Sequence, residues 1–173
     1  MMLRRIVLVA AILAPVVAVA QSQINWKQPL PDATFVGFAG TVNAFETQSG
    51  QLALQKSTNE LTRGFATRAV QVSTDAGPGL TRNAREAGVT GAPHEEFKKI
   101  ADGALARLNT LSGADFDKAY ADAQLLVWTA VVDQYGAYGE NTNNSAPLRR
   151  YAQEQFPKAR EALEYAKRLQ AGK

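Results

Sequence analysis

The stretch that decides the fold runs from Ser112 to Tyr138 and reads SGADFDKAYADAQLLVWTAVVDQYGAY. Its apolar residues recur at steps of three and four, which places them on one face of an α-helix. They are Phe116, Ala119, Tyr120, Ala123, Leu126, Val127, Ala130 and Val131. Ser112 stands three residues before Asp115, a spacing typical of a helix N-terminus. The stretch therefore predicts one long helix, the most hydrophobic in the chain.

Two further helices are predicted on its N-terminal side. Apolar residues at the same spacing predict the first over about residues 32–56. Ser57 precedes Glu60 by three residues, and this capping-box spacing predicts the start of the second helix, which ends at Gly88. The triplet Gly77-Pro78-Gly79 interrupts its pattern. Because proline lacks an N–H group and glycine costs backbone entropy, we expect a break or kink at residues 76–79.

Two more helices are predicted in the rest of the chain. A short one follows Glu95, and the last covers about residues 157–170, with Pro157 in its first turn. Between the long helix and the last helix, residues 139–147 are predicted to form a loop, and a short turn follows before Pro157. No stretch reads as a convincing strand. The sequence therefore predicts an all-α, antiparallel four-helix bundle with short extra helices, forming a single domain over residues 32–170.

The first twenty residues read as a secretory signal peptide. Arg4 and Arg5 precede an apolar stretch that ends in Ala18-Val19-Ala20, and Pro15 interrupts it. A membrane anchor usually needs about 18 or more uninterrupted apolar residues, so we expect cleavage after Ala20. Residues 21–31 read as an extended lead-in. We therefore predict a periplasmic or secreted protein of the cell envelope, with no transmembrane segment after removal of the signal.

Composition excludes several functions. The chain of 173 residues has no cysteine and one histidine, which excludes disulfides, thiolate nucleophiles and cysteine-based zinc sites. Loss of Arg4 and Arg5 with the signal peptide leaves 17 of the 19 basic side chains against 16 acidic ones. Since the mature chain is then nearly neutral, we expect no nucleic-acid partner.

Beyond these patterns, the sequence resembles a known family over about residues 32–170. The resemblance rests on Gly50 to Leu54 with the following Lys56, on Phe65-Ala66, on Leu111 to Tyr120, and on Phe156-Pro157. These segments resemble the domain of unknown function 4142 family of bacterial envelope proteins, often labelled outer membrane proteins. The resemblance implies a ferritin-like helical bundle.

The chain departs from that family at three positions. Relatives typically carry a histidine about eight residues after the Phe-Ala pair, another about twelve after the Phe of the Phe-Asp pair, and a third about five after the proline of the last helix. Here these positions hold Ser73, Trp128 and Ala162. None of these side chains replaces an imidazole as a metal ligand in the usual way. We therefore expect this protein to lack whatever function those histidines serve in its relatives.

Few residues suggest catalysis or metal binding. Bundle metal sites built from carboxylates use Glu-x-x-His motifs, and none occurs. Glu46 is the one carboxylate singled out as a candidate metal ligand, although an exposed helix carboxylate is the ordinary expectation. His94 stands at a helix start without a visible partner, and no serine lies in a Gly-x-Ser-x-Gly motif. We predict no catalytic residues, and the absence of a nucleotide-binding motif predicts no cofactor.

Three aromatic residues of the long helix, Tyr120, Trp128 and Tyr135, are predicted either to pack in the core or to line an apolar cavity. The first functional hypothesis is an exported, non-enzymatic binding or structural protein, with an envelope protein or a small apolar ligand as its partner. Two alternatives remain open. One is a ferritin-like protein that binds metal through carboxylates, and the other is a carrier of small apolar molecules.

Overall fold

The computed structural model describes residues 24–172, and these form five helices without a strand. They are α1 (Asp32–Lys56), α2 (Glu60–Glu86), α3 (Glu95–Thr110), α4 (Gly113–Glu140) and α5 (Ala146–Gln170). This confirms the all-α prediction. The predicted signal peptide and the first three residues of the lead-in lie outside the described residues.

The helices pack as two pairs. Helix α1 packs along α2, α4 packs along α5, and contacts between α2 and α5 join the pairs into a bundle. The shorter α3 covers α1 and α4. Among the helices that the structure describes, none has the length and hydrophobicity that crossing a membrane requires.

Helix α1 is enclosed on more than one side because it contacts α2, α3 and α4. Two of its buried residues, Glu46 and Ser49, have polar side chains. The full buried set is Phe35, Phe38, Ala39, Val42, Phe45, Glu46, Ser49, Gly50 and Ala53. At Gly50 the backbone approaches α2 so closely that a Cβ atom would lie 2.6 Å from Cγ2 of Val70. A side chain at that position would push the two helices apart.

The start of α2 differs from the prediction. Its N-cap is Asn59, whose side chain accepts hydrogen bonds from the backbone N–H groups of Leu61 and Thr62. Ser57 instead donates a hydrogen bond of 2.5 Å to Asp117 at the start of α4. The predicted capping box is therefore wrong, because the Ser57 oxygen accepts from the backbone N–H of Asn59 at 3.1 Å rather than from that of Glu60.

Lys56 joins helix ends that are distant in sequence. Its Nζ donates hydrogen bonds to the backbone carbonyls of Leu108, Asn109 and Leu111, at distances of 2.9, 2.6 and 3.0 Å. The last carbonyls of a helix have no partner within it, and a cation there also interacts favourably with the helix dipole. Lys56 therefore fastens the end of α1 to the end of α3.

The predicted break at residues 76–79 does not occur. Helix α2 continues through Gly77-Pro78-Gly79, with the proline ring exposed to solvent. The Thr81 hydroxyl donates to the carbonyl of Gly77 at 3.1 Å, and the Asn83 amide donates to the carbonyl of Gly79 at 2.8 Å. These side chains supply additional hydrogen bonds beside the proline.

The C-terminal helix also starts earlier than predicted. Instead of a turn followed by a helix from Pro157, α5 begins at Ala146, with Pro147 in its first turn, and continues through Pro157. Its N-terminal half buries Leu148, Tyr151 and Ala152. The exposed position of Pro157 keeps its ring off this packed face.

Candidate binding site around Trp128

Glu46 lies in the middle of the bundle. Its exposed fraction is 0%, so the expectation of a solvated carboxylate is wrong. The position follows Phe45 on the widened buried surface of α1, where helices cover more than the apolar stripe predicted from the sequence. Neither carboxyl oxygen has a hydrogen-bond partner among the described residues.

A short chain of buried hydrogen bonds crosses from α4 to α1 beside this carboxyl. The Trp128 indole N–H donates to Oε1 of Gln124 at 3.1 Å, and the Gln124 amide donates to the Ser49 hydroxyl at 3.1 Å. Both donors are therefore used within the chain. Buried polar groups are costly when unpaired, so these bonds stabilise the polar side chains inside the core.

Burial raises the pKa of Glu46 to about 8, and the nearby Gln124 and Trp128 side chains offset only part of this increase. At pH 7 the neutral carboxylic acid is therefore the main form at this position. The Tyr120 hydroxyl is also buried, with no hydrogen-bond partner in the described part of the chain. Its burial raises its pKa, and the nearby Glu46 carboxylate raises it further. The core around Trp128 is thus mainly hydrophobic, and the few polar groups buried in it are mostly uncharged.

On its other side, Trp128 borders a cleft of about 240 Å³ between α2, α4 and α5. Most of the lining is apolar and comes from all three helices: Phe65, Ala69, Val72, Trp128, Ala162 and Tyr165. The rings of Phe65 and Tyr165 pack with their centroids 5.3 Å apart. Trp128 is only 4% exposed, so most of its surface packs in the core and a small part faces the cleft.

Three charged side chains also line the cleft. Arg68 of α2 and Glu161 of α5 form an ion pair of 2.5 Å between partly exposed groups. Lys158 lies one helical turn before Glu161, and its nearest hydrogen-bonding partner is the Gln155 amide oxygen at 3.4 Å. Two cations and one anion therefore border an apolar cleft.

A smaller cavity of about 20 Å³ adjoins Trp128 and Lys158 on the inner side, where Ser73, Asn43 and Gln155 contribute polar groups. About 10–15 Å³ of such volume is enough for one water molecule. Ser73 and Trp128 line this cavity, whereas Trp128 and Ala162 line the cleft. The three positions at which relatives carry a histidine thus lie close together, with Ser73 and Ala162 on two cavities that Trp128 separates.

A family model described as a domain of unknown function, DUF4142, matches residues 18–169. The chain belongs to the DUF4142 family. The match covers α1 to α4 and nearly all of α5, so the bundle as a whole is the family domain. Neither the curated proteins nor the solved structures include a match to the chain.

Tyr120, Trp128 and Tyr135, for which the sequence left both core packing and a cavity lining open, are all buried in this DUF4142 protein. Only Trp128 also borders the cleft. Glu46 stands next to this site, but residues 24–172 contain no group of three or more His, Cys, Asp or Glu side chains placed to hold a metal ion. The candidate metal ligand therefore remains a prediction without visible companions in the described part of the chain.

His94 has a structural position away from the cleft. Its Nδ1 accepts a hydrogen bond of 3.2 Å from the backbone N–H of Phe97 and so caps α3. Its ring lies 5.2 Å from that of Trp26, centroid to centroid. His94 is thus half-buried, and it has partners that the sequence did not make visible.

The sequence did not single out Lys158, Arg68 or Gln124. Lys158 and Arg68 lie in amphipathic helices, where a charged residue ordinarily indicates a solvated face. Gln124 could have been noticed, because it falls four residues before Trp128 in the most apolar helix. A residue pair at that spacing shares a helix face, and here it forms the buried hydrogen bond.

A larger groove, of about 810 Å³, lies near Trp26, Ile100 and Leu125. It is more open to solvent than the cleft, and it shares no lining residue with it. Leu126 at its edge is 37% exposed. The groove contains no basic side chain, so the combination of an apolar floor and an uncompensated charge occurs at Trp128 rather than here.

Proposed function

We propose that this DUF4142 protein is an exported, non-enzymatic binding protein of the cell envelope that holds a small apolar molecule in the Trp128 cleft. The observation that carries the proposal is the cleft itself, in which three helices present an apolar lining with a tryptophan at its base. Ligand sites are typically concave and apolar, with a few polar groups that fix orientation.

The size of the cleft limits the ligand. Small-molecule pockets usually measure about 300–1,000 Å³, so a cleft of about 240 Å³ suits a molecule with a single ring. A ligand of about ten non-hydrogen atoms gains on the order of 0.4 kcal/mol per atom, which corresponds to a Kd on the order of 1 mM. Methods for weak binding are therefore appropriate.

Export is supported by the first twenty residues, whose basic start, apolar stretch and small-residue end are typical of a signal peptide. The carboxylate-metal alternative receives less support. A metal site needs several ligands, and the described part of the chain offers no group of three suitable side chains around Glu46. We therefore favour the small-molecule alternative.

Native mass spectrometry of the full-length protein, expressed in a bacterial host and purified from the periplasm without chelators, tests both parts of the proposal. We expect a chain that begins at Gln21 and that gains a discrete mass when a small neutral aromatic alcohol is added. A cytoplasmic protein that retains residues 1–20 would overturn the export proposal. A stoichiometric metal adduct on the purified protein would favour the metal-binding alternative instead.

A pair of variants locates the binding site. Ala162→Phe adds a ring to the cleft wall and should abolish binding of 4-ethylbenzyl alcohol, measured by changes in NMR chemical shift. Ala106→Phe, at an exposed position of α3 outside the cleft, is the matched control and should bind as the wild type does. Unchanged binding by Ala162→Phe would show that the alcohol binds elsewhere.

A further inference from the structure

We propose that the ligand of the Trp128 cleft is a small aromatic carboxylate, whose ring lies against Trp128 and whose carboxylate pairs with Lys158. This inference rests on the proposed binding function and adds the chemical class of the ligand. It depends on the charges at the rim, which the binding proposal does not use.

The charged side chains of the cleft do not balance. Glu161 is the only acidic side chain of its lining, and it is already paired with Arg68 at 2.5 Å. Lys158 forms no ion pair with any carboxylate of the described residues. The cleft lining therefore carries two cations and one anion, and this net positive charge beside an apolar surface favours an anion and disfavours a cation.

Lys158 lies where the two cavities meet. It lines both the cleft and the small inner cavity, and Trp128 and Val72 are also common to the two. A carboxylate held by Lys158 would thus stand beside the indole, at the point where the apolar cleft meets the polar groups of Ser73 and Asn43. A ligand with an apolar ring and an anionic end matches this change of lining.

The aromatic lining of the cleft favours a ligand with an aromatic ring. The cleft is lined by the rings of Phe65, Trp128 and Tyr165. Aromatic pairs in offset or edge-to-face arrangements contribute about 0.5–1.5 kcal/mol beyond the area that they bury. A single aromatic ring fits a volume of about 240 Å³ and can pack against these three rings.

The experiment compares two probes of the same shape, 4-ethylbenzoate and 4-ethylbenzyl alcohol, by NMR titration at pH 7 and low salt. We expect the carboxylate to bind wild-type protein about tenfold more tightly, because a charge-assisted hydrogen bond contributes roughly that factor. Lys158→Gln should remove this preference, so that the variant binds the two probes with equal affinity. Lys158 is exposed, so the variant should keep its fold.

Lys167→Gln is the matched control. Lys167 is an exposed lysine of the same helix, it is paired with Glu164 at 2.7 Å, and it does not line the cleft. This variant loses the same net charge as Lys158→Gln and should retain the preference for the carboxylate. A loss of preference in both variants would indicate general electrostatic attraction and would overturn the assignment to Lys158.

The outcomes separate the two proposals. Equal affinities of the wild type for both probes would overturn the carboxylate inference and leave the binding proposal in place. A preference for the carboxylate that survives Lys158→Gln would also overturn it. If neither probe changes the spectra of the residues around Trp128 at millimolar concentrations, both the inference and the proposed function are wrong.

Discussion

Replacing Glu46 by glutamine should remove a large part of the pH dependence of folding. In the folded protein the pKa of Glu46 is raised to about 8, against 4.5 for the ordinary side chain. The folded state therefore holds its proton more tightly than the unfolded state does. The free energy of unfolding is then highest below pH 4.5, falls as the pH rises from 4.5 to 8, and levels off above 8.

The magnitude follows from the difference in pKa. Each pKa unit corresponds to about 1.4 kcal/mol, so the wild type loses about 3 kcal/mol by pH 7 and about 5 kcal/mol by pH 9. Glutamine has nearly the same shape and stays neutral throughout. We therefore expect Glu46→Gln to match the wild type near pH 4.5 and to exceed its free energy of unfolding by about 3 kcal/mol at pH 7.

Urea unfolding of both proteins at pH 4.5, 6, 7 and 8.5, followed by circular dichroism, measures this difference. Subtraction of the two curves cancels the contributions of groups that are common to both proteins. Glu154→Gln is the control, because Glu154 is an exposed residue of α5. A difference between Glu46→Gln and the wild type that stays constant across this range would refute a neutral buried acid.

Three further predictions concern stability at pH 7. Lys56→Met should lower the free energy of unfolding, measured in urea, by about 2–3 kcal/mol, because the carbonyls at the end of α3 lose a charged hydrogen-bond donor. The control Lys158→Met should change it by less than about 0.5 kcal/mol. Equal effects of the two substitutions would contradict the role of Lys56. Gly50→Val should lower the Tm or prevent folding, since its Cβ would already lie 2.6 Å from Val70, and an unchanged thermal transition would contradict the close approach of α1 and α2. Trp128→Ala should cost about 3–5 kcal/mol in urea, and a change below about 0.5 kcal/mol would show that the indole does not support the core.

Hydrophobic spacing predicted the helices well where packing and local preference agree. The long helix and the first helix were found from their apolar stripes, and the structure has them at Gly113–Glu140 and Asp32–Lys56. Both errors in helix continuity occurred at prolines. An interior proline costs about 3 kcal/mol, which favours a break on local grounds. Tertiary packing opposes that cost in α5, where the segment before Pro157 buries Leu148, Tyr151 and Ala152.

The burial of Glu46 could not be predicted from the pattern of α1 alone. The apolar stripe defines one face of a helix, but the width of the buried surface depends on how many neighbours that helix has. Helix α1 contacts three others, and Glu46 and Ser49 lie on the part of its surface that the additional neighbours cover. This arrangement is a property of the assembled bundle rather than of any local stretch.

The position of the candidate site was more predictable than its chemistry. Counting along the sequence singled out Ser73, Trp128 and Ala162, and these positions line two adjoining cavities around one indole. The spacing of residues along a helix determines which face they occupy, because each residue turns the chain by a fixed angle around the helix axis. The side chains at those positions nevertheless decide what the site can hold. No imidazole stands at those positions, and residues 24–172 place no group of three metal-ligating side chains around Glu46. Burial raises the pKa of this acid to about 8, so at pH 7 it mainly keeps its proton and adds little charge to the core beside Trp128.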